Sequence, residues 1–284
     1  MADIDRYAVT GYPVAHSKSP FIHAQFAEQT GERLSYDSLE LSPENFVAGV
    51  HKFFAEGGKG LNVTVPHKET AWRLVDWLAP NAELAGAVNT LYQLADGRLA
   101  GDNTDGTGMV RDIEKNHGGK LAGANIMIIG AGGAVRGVLP PLIAARPASI
   151  TIVNRTLARA ASMAEDFSSQ YPLRVLSLEQ LQGQPSPDRT PAPDWLINGS
   201  SAGLQGEMPA LPGWLISAAT GCYDMVYAPG GTVFQQWARE SGALLALDGS
   251  GMLVEQAAES FRIWRGVQPE TQPVIAALHA LLAK

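Results

Sequence analysis

Apolar positions along the chain switch between two periods, and the switching predicts its elements. YAVTG (7–11) is a short apolar strand, while SPFIHAQFAEQTG (19–31) has helical spacing, opened by Ser19 and Pro20 and closed by Gly31. LSYDSLEL (34–41) alternates with period two, ENFVAGVHKFFAEG (44–57) returns to helical spacing, and GLNVTV (60–65) to a strand. This βαβαβ order predicts a mainly parallel sheet with crossover helices, whose ligands bind outside the carboxyl ends of the strands. KETAWRLVDW (68–77) reads as a helix, AGAVNTLYQL (85–94) and GRLAGDNTDG (97–106) as short strands, and TGMVRDIEKNHG (107–118) as a helix leading away.

A second alternation then begins. NIMIIG (125–130) is a continuous apolar strand, AVRGVLPPLIAA (134–145) a helix containing prolines, SITIVN (149–154) a strand and LARAASMAEDF (157–167) a helix. QGQPSPDRTPAPD (182–194) is a loop by composition, after which WLINGSS, TGCYDMVY and ALLALDG supply three further buried strands. The tail, MLVEQAAESFRIWRG (252–266) and PVIAALHALL (273–282), is helical, with Leu253, Ala257 and Phe261 on one face. Two helices cannot bury that face alone, so the tail packs on an earlier unit. The expected division is residues 1–106 with 252–284 as one α/β domain, and residues 107–251 as a Rossmann-type dinucleotide-binding domain.

Composition adds limits. The 284 residues carry a formal net charge of -7, which argues against a nucleic-acid surface, and no apolar run approaches the roughly 20 residues of a membrane span. The start MADIDRY lacks the features of a secretory signal, so a cytoplasmic protein is expected. The single cysteine, Cys222, reads as a buried small side chain, and no metal site is expected.

The clearest chemical signal is GAGGA, Gly130, Ala131, Gly132, Gly133 and Ala134, set between a strand and a helix. Glycines there let the backbone approach a pyrophosphate, and the helix N-terminus stabilises its charge. Val135 occupies the third glycine position of the usual fingerprint. The next strand ends in Asn154, Arg155 and Thr156, with Arg159 one turn on and no carboxylate. A guanidinium in that place suits a 2′-phosphate, so NADP is favoured over NAD.

In the first unit, Asp105 of NTDG stands before a helix, where its plain reading is an N-cap. Lys68 opens another helix, a place where positive charge is disfavoured. A partner carboxylate accounts for it: at one sheet edge the two form a proton-handling pair. Ser17, Ser19, Asn62, Thr64, Asn89 and Thr90 add neutral hydrogen-bonding groups suited to a small polyhydroxylated ligand with one carboxylate.

Taken in order, GYPVAHSKSP (11–20), NVTVPHK (62–68), GAVNT (86–90), GDNTDG (101–106), GAGGA, NRT (154–156), CYDMVY (222–227) and GMLVEQA (251–257) closely resemble the shikimate dehydrogenase family. The resemblance implies NADP-dependent interconversion of 3-dehydroshikimate and shikimate in aromatic amino-acid biosynthesis. It implies Lys68 and Asp105 as the catalytic pair, with the lysine as proton donor or as charge stabiliser. By the same resemblance Ser17 and Ser19 hold the substrate carboxylate with Tyr227 close by, and Thr64, Asn89 and Gln256 bind ring hydroxyls. Gly130 to Ala134 would hold the pyrophosphate, Asn154, Arg155 and Thr156 the 2′-phosphate, and Met225 and Gly249 would border the nicotinamide. Ser250, where leucine is common, and NGSSAG (198–203) depart from the family pattern, and His67 reads as structural. The alternatives are a quinate-active or NAD-using enzyme of the same class and a non-catalytic NADP-binding module. Small-molecule substrate, no membrane, no nucleic acid and a possible homodimer complete the expected partners.

Overall fold

The computed structural model describes residues 4–183, 191–200, 202 and 207–283. The chain divides into two compact units, Met1–Gly108 with Leu253–Leu278, and Met109–Met252 with His279–Lys284.

In the first unit β1 (Asp5–Gly11), α1 (Ser19–Thr30), β2 (Leu34–Glu40), α2 (Phe46–Ala55) and β3 (Gly58–Val63) follow the predicted alternation. Then come α3 (Lys68–Leu74), β4 (Trp77–Leu78), α4 (Pro80–Ala85), β5 (Thr90–Gln93), β6 (Leu99–Asp102) and α5 (Asp105–Arg111). The strands form one sheet in the order β2-β1-β3-β5-β6-β4. The sheet is mixed, because β3 with β5 and β5 with β6 pair antiparallel. The tight turn at Gly97 (φ +86°) explains the second pairing, since so short a link joins only antiparallel strands.

The helix expected over 68–77 stops at Leu74. Val75 turns extended, and Trp77–Leu78 pair with Ala100–Gly101. The Asp76 carboxylate accepts from Leu99 N at 2.8 Å, and Pro80 opens α4, so the backbone around 76 is held against further helix from both sides.

The core of this unit packs Phe46, Val50, Phe53 and Phe54 of α2 against Leu61, Val63, Val88 and Leu91. On the other face the rings of Phe26, Tyr36, Phe261 and Trp264 surround His23, which lies 4.1 Å from Tyr36 in a parallel stack. His23 is fully buried, and neither ring nitrogen has a hydrogen-bond partner. Burial pulls its pKa from 6.5 down to about 3; the Asn62 side chain opposes the shift but does not reverse it.

The second unit is wound from β7 (Asn125–Ile129), α6 (Gly133–Ala144), β8 (Ser149–Asn154), α7 (Leu157–Asp166), β9 (Arg174–Ser177), α8 (Leu178–Gln182), β10 (Trp195–Asn198), β11 (Gly221–Asp224), α9 (Val233–Glu240) and β12 (Leu245–Leu247). Its sheet, in the order β12-β11-β10-β7-β8-β9, is parallel at every pairing. Two helices, α10 (Ser250–Arg265) and α11 (Gln272–Leu282), complete the chain. Cys222 is buried in β11, and burial pushes its thiol up to about 12. The predicted loop 182–194 lies partly outside the described residues, as do Ser201 and Gly203 of NGSSAG. Among the described residues no helix is long and apolar enough to cross a membrane, and no His, Cys, Asp and Glu side chains group as a metal site.

The buried imidazole sets a pH dependence. Unfolded His23 takes up a proton near 6.5 and the folded residue only near about 3, so between those values the unfolded chain binds more protons. Its contribution to stability is therefore intact above the first value and falls on acidification, by about 1.4 kcal/mol per pH unit. Urea unfolding at several pH values should show a flatter acid slope for His23→Phe than for the wild type; equal slopes would contradict the assignment.

Candidate active site

Pro66 and His67 bring Lys68 to the edge of the first sheet directly beyond β3. His67 Nε2 lies 2.7 Å from Leu41 O and its ring stacks 4.4 Å from Phe46, so the residue beside the lysine is anchored in the core. Val88 N donates to Lys68 O at 3.0 Å and fixes the backbone. Lys68 Nζ then donates to Asp105 Oδ2 at 2.5 Å, with the lysine side chain 28% and the aspartate 12% exposed. Asp105 is the first residue of α5, but its side chain serves this pair and not a cap. Its own N–H is held by Asn103 Oδ1 at 3.2 Å.

Asn89 completes the arrangement. Its Nδ2 donates to Asp105 Oδ1 at 2.8 Å and lies 3.3 Å from Gln256 Oε1, while its Oδ1 accepts from Thr104 N at 2.9 Å and Thr90 Oγ1 at 2.8 Å. Each carboxylate oxygen of Asp105 thus receives one strong donor. Gln256 reaches the group from α10, its Nε2 held by Leu253 O at 2.8 Å.

Ser17 and Ser19 sit where the loop after β1 enters α1. Ser17 Oγ lies 3.2 Å from both Ser19 Oγ and Ser19 N, and Ser17 N donates to Val14 O at 3.0 Å. Ser19 also interacts with the Tyr36 phenol, whose pKa burial drives well above its ordinary value. Thr64 lies one residue past β3, with Thr64 N on Thr10 O at 2.8 Å. Its methyl packs where Gly11 has no Cβ; one added there would stand 2.5 Å from Thr64 Cγ2.

In the second unit Gly130 follows β7 with φ +114°, and a Cβ on it would stand 2.9 Å from Gly199 O. A Cβ on Gly132 or Gly133 would meet nothing within 4 Å, so the turn presents an open face before the first amides of α6. Val135 stands at the third glycine position without loss because the close approach is made by its partner. A Cβ on Gly199 would lie 2.4 Å from Val135 Cγ2. Asn154 Nδ2 donates to Thr156 O at 2.9 Å, and Arg155 and Arg159 stand exposed at the start of α7. Neither arginine forms an ion pair among the described residues, and no Asp or Glu occurs from Ser149 to Ala164. The open turn and unpaired arginines fit a dinucleotide bearing an additional phosphate.

Met225 and Gly249 meet at the same sheet edge, where a Cβ on Gly249 would stand 2.5 Å from Met225 O. Tyr227 belongs to this second unit and is half-buried, which raises its pKa. Ser250 Oγ bridges Asp248 Oδ1 at 2.5 Å and His279 Nε2 at 2.7 Å, a pairing that a leucine there would not make.

A glycine-turn nucleotide unit and a polar unit centred on a lysine–aspartate pair define a two-domain α/β oxidoreductase. The family models for "Shikimate dehydrogenase substrate binding domain", "Shikimate / quinate 5-dehydrogenase" and "Shikimate 5'-dehydrogenase C-terminal domain" match residues 9–91, 112–184 and 249–279. The chain belongs to the shikimate dehydrogenase family.

It is 57% identical over 274 residues to shikimate dehydrogenase (NADP(+)) of Alkalilimnicola ehrlichii, covering 96% of this chain and 98% of that protein. Among solved structures it resembles an Ael1 enzyme from Pseudomonas putida, with 43% identity, TM-score 0.88 and 96% and 98% of the two chains covered. It also resembles shikimate 5-dehydrogenase from Thermus thermophilus in complex with NADP(H) and shikimate, with 34% identity, TM-score 0.84 and coverage of 98% and 99%.

Sequence reasoning named Asn62 and Thr90 only as neutral polar groups and passed over Tyr36, Thr104 and Ser260, which the structure joins to the Asn89 cluster. The available signal was Ser260 four residues after Gln256, on the same helix face.

The Gly130 geometry is testable by itself. Gly130→Ala combines a left-handed backbone with a collision against main chain, so it should lower stability by about 1–3 kcal/mol in chemical denaturation. An unchanged midpoint would show that the turn relaxes freely.

Proposed function

We infer that the protein is an NADP-dependent shikimate dehydrogenase, interconverting 3-dehydroshikimate and shikimate in aromatic amino-acid biosynthesis. The observation that carries this reading is the Lys68–Asp105 pair wired to Asn89, in a chain 57% identical along nearly its whole length to an enzyme of that name.

NADPH, when bound, supplies the hydride that reduces the ketone. Lys68 has three N–H groups and commits one to Asp105 Oδ2, so others are free for the ketone oxygen. As that oxygen gains charge, the ammonium stabilises it and delivers the proton. Asp105 keeps the ammonium in place and accepts from a ring hydroxyl. Ser17 and Ser19, at the positive end of a 12-residue helix, hold the substrate carboxylate. Thr64, Asn89 and Gln256 bind the ring hydroxyls.

On the cofactor side, the amides from Gly130 to Ala134 take the pyrophosphate. Asn154, Arg155 and Thr156 take the 2′-phosphate, and Met225 and Gly249 lie against the nicotinamide. Such an enzyme works in the cytoplasm on a small molecule, without a nucleic-acid or membrane partner; light scattering decides between monomer and homodimer.

Turnover of shikimate and of quinate, each with NADP+ or NAD+, is followed by absorbance of the reduced cofactor. Fastest turnover with shikimate and NADP+ is expected; preference for quinate or NAD+ would replace this reading with its nearest rival, and no turnover with either acid would favour a binding module. Lys68→Ala should lower kcat by roughly 10²–10⁴-fold with a smaller change in KM, and a near-normal kcat would remove the lysine from the chemistry. Arg155→Ala should raise KM for NADP+ about tenfold while leaving KM for NAD+ nearly unchanged. An equal effect on both cofactors would place the 2′-phosphate elsewhere.

A further inference from the structure

We propose that Thr90 and Ser260 are positioning residues for the reaction, forming with Tyr36, Asn62 and Asn89 a one-directional hydrogen-bond chain that ends on Asp105. The proposal rests on the shikimate dehydrogenase reading and deepens it. Thr90 and Ser260 have no solvent exposure, so neither touches substrate.

The direction of the chain follows from two backbone groups. Thr104 N can only donate, so the atom of Asn89 that faces it at 2.9 Å is Oδ1, and Nδ2 must face Asp105 Oδ1 at 2.8 Å. The main-chain oxygen of Asn89 can only accept. The atom of Asn62 lying 3.2 Å from it is therefore Nδ2, which leaves Asn62 Oδ1 to accept from Tyr36 OH at 2.7 Å.

Two hydroxyls join these fixed amides. Asn62 Nδ2 donates to Ser260 Oγ at 3.0 Å, Ser260 Oγ lies 2.8 Å from Thr90 Oγ1, and Thr90 Oγ1 lies 2.8 Å from Asn89 Oδ1. Asn89 Oδ1 has no proton to give, so Thr90 donates to it. Thr90 has then spent its one proton, so the 2.8 Å contact is made only if Ser260 donates to it, in preference to Gln256 O at 3.1 Å, the other acceptor within reach of that hydroxyl. The sequence of donors is Tyr36, Asn62, Ser260, Thr90, Asn89, with Asp105 as final acceptor. Each bond polarises the next. The chain begins at the phenol that Ser19 touches and ends on the carboxylate oxygen opposite the one that holds Lys68.

Losing either hydroxyl would leave Asn89 Oδ1 with weaker donors and would slacken the Nδ2 bond to Asp105. A carboxylate with a weakened donor is less firmly oriented and holds its lysine less well.

The test contrasts two substitutions. Thr90→Val keeps shape and removes the hydroxyl, whereas Thr90→Ser keeps the hydroxyl and removes the methyl. For Thr90→Val, kcat with shikimate and NADP+ should fall about tenfold, with a smaller change in KM for shikimate. Thr90→Ser should regain most of that loss. The opposite order, valine active and serine impaired, would show a packing role and overturn the proposal.

Ser260→Ala breaks the same chain at its other hydroxyl and serves if Thr90→Val does not fold. It should reproduce the fall in kcat with little change in KM, and an unchanged kcat would overturn the proposal. The double variant should be little worse than the poorer single one; fully multiplicative losses would show two independent packing defects. In ligand-free protein, NMR of the Asn89 side-chain amide gives a readout independent of turnover. Its protons should be protected from exchange in the wild type and Thr90→Ser and exchange faster in Thr90→Val. If the wild type fails to oxidise shikimate, the functional reading falls, and this measurement still decides whether the chain exists.

Discussion

The first unit is organised around the ion pair between Lys68 and Asp105. The two residues lie 37 positions apart, at the starts of two helices, and they meet at 2.5 Å because the strands that precede them end along one sheet edge. Positive charge at the start of a helix is unfavourable by itself, and a mostly buried carboxylate needs donors. Each group is the remedy for the other. Removing either would leave a partly desolvated charge, which costs more than the pair contributes. That asymmetry makes the local geometry two-sided: the sequence cannot keep one residue and drift at the other.

Much of this was legible before the fold was known. The alternation of periods predicted both sheets' opening strands, GAGGA marked the tight turn between β7 and α6, and an ill-placed lysine pointed to a carboxylate partner. What sequence could not supply was contact between distant neutral groups. Thr104 and Thr90 carry no unusual spacing or charge, and Ser260 carries only its place four residues after Gln256. Their importance arises only when α10 is laid over β5. The short strand β4 was missed for a different reason. KETAWRLVD has helical composition, and the competing bond, donated by Leu99 N to the Asp76 carboxylate, is made with a segment more than 20 residues away.

The nucleotide unit shows how a motif can be kept while its letters change. The usual third glycine permits close packing of helix and strand. Here Val135 takes that position, and closeness is restored at the end of β10, where Gly199 lacks the Cβ that would strike it at 2.4 Å. A fingerprint read strictly as letters would have marked the turn down. Read as a space to be left empty, the requirement is met by a glycine 64 residues further on.

The donor chain also explains why the last long helix must hold one register. Ser260 and Gln256 both come from α10, and a slip of one residue would turn each by about 100° away from Asn62 and Asn89. Two contacts further along prevent this. Trp264 Nε1 donates to Leu91 O at 3.2 Å and the indole packs against Gly60, where a Cβ would stand 2.4 Å from Nε1. Arg265 reaches Asp5 and Glu32 with its guanidinium and Tyr7 OH at 3.2 Å. A tryptophan seated over a glycine sets the depth of the helix, and a forked cation between two carboxylates sets its rotation. Polar groups buried in the site can then be few, neutral and oriented, because the cost of holding them in line is met by packing and charge one turn beyond them.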